Sequence, residues 1–301
     1  MVHYLFAPLL ASGLYALASL LVKRAFIEGA TTAQAFHSIN IVIAAVLLPL
    51  PLFEDSSARW DLWFQPAIVG AAFFGGTWLA AEAIRRGDVS LVTPVSAIKV
   101  IVVALLVGFL IGEWVSPFLW GAAVIASIGV AVLAYRGGGI EKAPMSCRPA
   151  ILAMLFSVIL LGTGDVLIQK WASPFGAFTF VTLAAVAAAL YSLVALGLTP
   201  QKYLRPPWQI YGWLAAGGAI AGIQSAMMGL ALAFANDAVG IHVIYSLRGI
   251  WAVLLAALIG GRLGVGDGVS TSPMVFRRRA IGALMVTVAV LITIAYRTSS
   301  G

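Results

Sequence analysis

The feature that most constrains this chain is the recurrence, from one end to the other, of apolar runs close to 20 residues long. Each is long enough to cross a hydrocarbon core about 30 Å thick. Inside a bilayer the backbone must satisfy its own hydrogen bonds, so runs of this length fold as helices. Composition agrees, with 62% of residues hydrophobic and 10% charged, where soluble domains carry about 25% charged residues. The expected fold class is therefore an all-α integral membrane protein with no soluble domain. The first run, Tyr4 to Val22, has neither a basic leader nor a small-residue cleavage site, and is expected to be retained as a helix.

Polar punctuation places ten helices at about 3–22, 33–53, 65–85, 89–111, 117–135, 149–169, 175–197, 209–233, 238–260 and 279–296. The stretch 137–148 divides them into a first set, 1–136, and a second, 149–301. The two sets overlay without gaps around the fourth and ninth helices. GDVSLVTPVSAIKVIVVALLVGFLIGEW from Gly87 lies over NDAVGIHVIYSLRGIWAVLLAALIGGRL from Asn236. Asp88 then falls on Asp237, Lys99 on Arg248 and Glu113 on Arg262, while a second overlay puts Lys23 on Lys170. Five crossings per repeat is an odd number, so the second repeat enters the membrane inverted, an arrangement found in secondary transporters.

Loop charge gives an independent check. Equivalent loops of an inverted repeat should exchange their basic bias, because basic loops stay cytoplasmic. Lys23 and Arg24 in loop one face only Lys170 in loop six, and Arg85 and Arg86 in loop three face no basic residue in loop eight. Conversely, loop two has only Arg59 where loop seven has Lys202 and Arg205, and loop four has none where loop nine has Arg262 and Arg277 to Arg279. With Arg136, Lys142 and Arg148 in the linker, the odd loops hold thirteen basic residues against Arg59, Lys170 and Arg297 on the other side. Odd loops are expected in the cytoplasm and both termini outside. The net charge of +7 is thereby read as an orientation signal, not a nucleic-acid surface.

Pro94 to Leu133, PVSAIKVIVVALLVGFLIGEWVSPFLWGAAVIASIGVAVL, resembles the drug/metabolite transporter superfamily in its branch of EamA-type repeats: a proline, a small and apolar run, Gly-Glu, then a Gly-rich helix. LYALASLLVK, ending at Lys23, fits the same family, with Tyr15 where a tryptophan is frequent. The second repeat departs from the pattern, with Val243 in place of Pro94 and Arg262 in place of Glu113. The resemblance implies ten helices, alternating access and a central cavity lined by helices one to four and six to nine. It implies no particular substrate.

A charge in mid-membrane costs roughly 2.5 to 3.5 kcal/mol on insertion scales and so faces a cavity or a partner. Lys99 and Arg248 are such charges, repeat-equivalent and near the middle of their helices, and they are the first candidates for substrate contact. As cations they suit a carboxylate or phosphate, Arg248 in bidentate fashion; the plain alternative is a structural ion pair. Asp165 and Glu82 are the available counter-ions and the candidates for proton coupling, against the simpler readings that Asp165 pairs with Lys170 one turn on and Glu82 with Arg85 or Arg86. His242 and Tyr245 precede Arg248 by six and three residues, a spacing that keeps all three near one helix face. Tyr15, Asn40, Trp78 and Gln224 complete the candidate lining, with His37 beside them; singly, each is ordinary packing. The glycines around Gly70 to Gly76 and Gly217 to Gly222 are read as close helix contacts.

A single cysteine, Cys147, permits no internal disulfide, and no metal-ligand spacing or nucleotide-binding loop is present, so no cofactor or metal is expected. The 11 acids are scattered, which argues against a membrane-embedded lipid enzyme. The sequence thus predicts a secondary transporter or exchanger of a small organic solute, an amino acid, organic anion or similar metabolite, in a bacterial inner membrane. Energy would come from protons or a counter-substrate, and a homodimer stays open. The alternative is an exporter of hydrophobic or cationic compounds with Asp165 as coupling group.

Overall fold

The computed structural model describes residues 2–54, 58–86, 95–134, 148–198, 208–265 and 273–299, and every regular element among them is helical. A 3-10 turn, Val2–Leu5, leads into α1, Phe6–Ile27. α2, Thr32–Leu47, starts at a capping box in which the Thr31 side chain accepts from the Gln34 amide and the Gln34 side chain accepts from the Thr31 amide. Pro49 and Pro51 lack amide donors, so the apolar span finishes as the 3-10 turn Leu50–Phe53. α3 is Phe64–Arg86, α4 is Lys99–Leu106 continuing into a π turn at Val107–Ile111, and α5 is Pro117–Ala134. α6 is Arg148–Phe175, α7 Ala177–Gly197 and α8 Trp208–Ala235. α9, Ala238–Ile259, comes in two segments, Ala238–Tyr245 and Arg248–Ile259, and α10 is Pro273–Ser299.

Nine of the described helices are long and apolar enough to cross a membrane, all except α4, whose described apolar stretch is Lys99–Ile111. Its expected start at 89, with Asp88 and Pro94, lies outside the described residues, as does most of the 137–148 linker. Two boundaries differ from expectation. α6 runs to Phe175, six residues past the expected end, because Gly176 at φ +115° reverses the chain in a single residue and leaves no loop. Lys170 therefore lies in a helix, not a loop, and its Nζ donates to the Leu110 carbonyl at 2.6 Å. α10 begins at Pro273 and not at 279, which puts Arg277 to Arg279 inside its first turns.

The most extensive helix contacts join α3 to α6, α1 to α8 and α5 to α10, followed by α2 with α7 and α8, and α3 with α7. Small residues make these approaches possible. A β-carbon on Gly70 would meet the Ala184 carbonyl at 2.6 Å, one on Gly222 would meet Val46 at 2.8 Å, and one on Gly282 would meet the Gly129 carbonyl at 2.8 Å. The largest buried cluster contains Leu47, Phe175, Phe180, Val181, Leu232 and Ile241, so it lies at the ends of α2, α6, α7, α8 and α9 that adjoin the even-numbered loops.

Candidate functional site

Matching turns precede Lys99, the first residue of α4, and Arg248 within α9. Two-residue turns at Ala97–Ile98 and Ser246–Leu247 stand immediately before Lys99 and Arg248. The backbone tightens there to a three-residue spacing: Ile98 N donates to the Val95 carbonyl at 3.3 Å, Leu247 N to Ile244 at 3.1 Å and Gly249 N to Ser246 at 3.2 Å. The Ser246 hydroxyl adds a bond to the Val243 carbonyl, three residues back. Each cation thus opens the helical segment that follows its turn, Lys99–Leu106 in the one case and Arg248–Ile259 in the other.

The two cations differ in their surroundings. Lys99 Nζ lies 2.6 Å from Asp165 Oδ2, and His242 Nε2 lies 3.0 Å from the same oxygen. Asp165 is buried deep within α6, so its charge is balanced in place by the lysine. The expected pairing with Lys170 does not occur, since Lys170 is turned to Leu110. Arg248 forms no ion pair among the described residues. Its guanidinium carbon stands 5.2 Å from the Tyr15 ring centre and 5.0 Å from that of Tyr245, within cation–π reach of both. The two rings meet edge to face at 5.9 Å.

These groups border one cavity of about 500 Å³, within the range of small-molecule sites. Lys99, Asp165, His242, Tyr245, Arg248, Tyr15, Asn40 and Gln224 all line it. Asn40 also donates to the Phe36 carbonyl at 3.0 Å. Three residues singled out in the sequence lie elsewhere. Trp78 packs against Phe36 and Phe74, and His37 holds the Ser192 hydroxyl at 2.7 Å. Glu82 sits in the last turns of α3 and is not among the lining residues. The lining also includes Thr77, Ser96, Ser157 and Ser225, four small hydroxyl residues with no sequence signal of their own. Among the described residues no cluster of three potential metal ligands occurs.

Toward the even loops the cavity ends on Leu47, Ile168, Val181 and Leu232, members of the main buried cluster. Two polar latches lie beyond them. Glu54 accepts from the Phe178 and Thr179 amides at 2.9 and 3.1 Å, capping α7 from the other half of the chain. Asp237 accepts from Arg297 Nε at 2.9 Å and from the Tyr4 hydroxyl at 2.6 Å, tying the α8–α9 turn to both ends of the described chain. Toward the odd loops the lining extends to Ile84, in the last turn of α3, and Met154, early in α6.

No family model and no curated protein matches this chain. A solved crystal structure, described only as that of a protein, superposes with a TM-score of 0.72 over 96% of this chain and 97% of its own, at 18% identity. That likeness establishes a shared fold. The apolar helices make the chain a multi-pass integral membrane protein, and its fold is one already represented among solved structures.

Proposed function

We propose that this protein is a secondary transporter of a small organic solute, built from two inverted five-helix repeats of the EamA type, 1–136 and 149–301. The observation that carries the reading is the pair of matching turns at Ala97–Ile98 and Ser246–Leu247, which present Lys99 and Arg248 to one cavity. Interrupted helices around a mid-membrane site are the recurrent device of secondary transporters. The packing supports the repeat. Advancing every helix by five converts the α3–α6 contact into α8–α1 and the α2–α8 contact into α7–α3, and returns α5–α10 and α2–α7 to themselves. With the odd loops in the cytoplasm, as their basic residues imply, a cavity sealed toward the even loops is the inward-facing state of an alternating-access cycle.

Counterflow in proteoliposomes tests the proposal, using labelled amino acids, organic acids, phosphorylated metabolites and cationic drugs. At least one class should accumulate, and filling the cavity with Ala188→Trp should abolish the uptake while the protein stays folded. Failure of the wild-type protein to exchange any of the four classes would overturn transport. A second reading has one observation in its favour: Asp165 is the acid that lines the cavity among the described residues. In that reading cationic compounds are exported, and Asp165→Asn abolishes their movement.

A further inference from the structure

The charges around the cavity select among solutes, and this inference rests on the transporter reading. Lys99 and Asp165 cancel each other at 2.6 Å, and His242 Nε2 stands 3.0 Å from the same carboxylate oxygen. Arg248 remains. Among the described residues no carboxylate forms an ion pair with it, and two tyrosine rings flank it. The cavity therefore carries one unbalanced positive charge on the side chain best suited to a planar two-oxygen anion. The rings of Tyr15 and Tyr245 restrain the guanidinium, so less rotamer freedom is lost when a ligand docks. Most of the remaining lining is apolar, with Phe73, Leu161, Val181, Met228 and Leu232 among it.

We infer that the solute is a monocarboxylate with an apolar body, its carboxylate held by Arg248. A zwitterionic amino acid brings an ammonium group that requires an acid, and Asp165 Oδ2 already has Lys99 Nζ and His242 Nε2 within 3.0 Å. A phosphate dianion requires a second free cation, and Lys99 is committed to Asp165. An organic cation meets Arg248 with the wrong sign.

Four compounds with the same ring and different head groups provide the test: 3-phenylpropionate, L-phenylalanine, 2-phenylethylamine and phenyl phosphate. Equilibrium binding to the purified protein in nanodiscs, with counterflow in proteoliposomes, is measured for each. The expected result is binding of 3-phenylpropionate at least tenfold tighter than the other three, and a loss of tenfold or more in Arg248→Gln with partial recovery in Arg248→Lys. In Asp165→Asn, which releases Lys99, phenyl phosphate should gain at least tenfold. Equal or tighter binding of phenylalanine or phenylethylamine, absence of 3-phenylpropionate binding, or unchanged binding in a folded Arg248→Gln protein would each overturn the monocarboxylate assignment. The two readings separate cleanly. Counterflow of phenylalanine or phenylethylamine instead of 3-phenylpropionate keeps the transporter and removes the substrate class, whereas binding of 3-phenylpropionate without exchange keeps the class and removes the transporter.

Discussion

Lys99 Nζ stands 2.6 Å from Asp165 Oδ2, joining the start of α4 to the middle of α6. A buried pair of this kind is costly to break from one side, because the remaining charge loses its partner while staying out of water. Removing one member typically costs about 3–5 kcal/mol, whereas replacing both with apolar groups is often close to neutral. Lys99→Met and Asp165→Leu are each expected to lower the melting temperature in detergent substantially, and the double variant to recover most of the loss. Additive losses would show that the two side chains are not coupled in the folded protein.

The distribution of basic residues predicts an orientation that can be tested chemically. Cys147 lies in the linker between the two halves and is the single cysteine of the chain. A membrane-impermeant maleimide applied to intact cells should leave it unlabelled and should label it after permeabilisation. A Cys147→Ser protein carrying Ser299→Cys should show the reverse. Labelling of Cys147 in intact cells would place the odd loops outside.

Tyr4, in the turn ahead of the first span, donates to Asp237 at 2.6 Å. Burial, then the neighbouring Asp237 carboxylate, pushes its phenol above the ordinary tyrosine value, only partly offset by Arg297. A pKa raised on folding means that the unfolded chain releases this proton first. The contribution is complete below about pH 10, the unfolded tyrosine value, and is lost as pH rises from there toward the folded value. Between pH 8 and pH 11 the wild-type melting temperature should therefore fall more than that of Tyr4→Phe. Parallel curves would mean that the Tyr4 proton is not linked to folding.

Much of this architecture was legible in the residues. Apolar length located nine spans close to their observed positions, and the ungapped overlay singled out Lys99 and Arg248, which the structure brings to one cavity. The spacing of His242, Tyr245 and Arg248 also succeeded, because the turn at Ser246–Leu247 tightens the helix without reversing its course. What sequence could not supply was partnership across helices. The i,i+5 neighbour Lys170 looked like the partner of Asp165, but the true partner, Lys99, comes from a different helix 66 positions earlier in the chain. Trp78 and His37 are indistinguishable by hydropathy from cavity residues, and only the packing of Phe36, Phe74 and Ser192 around them shows otherwise. The long helices α6 and α10 were underestimated because a charged residue near a membrane boundary resembles a loop when backbone geometry is unknown.

Arg248, which has no ion-pair partner among the described residues, also has an electrical consequence. In the proposed alternating-access cycle the steep part of the transmembrane voltage would move from one flank of the guanidinium to the other, so an empty cavity would translocate one positive charge and a cavity filled by a monoanion none. One elementary charge is worth at most about 2.3 kcal/mol per 100 mV. An inside-negative potential imposed with valinomycin should therefore alter the return of the unloaded protein and leave homoexchange of a monoanion unaffected, a difference that Arg248→Gln should erase.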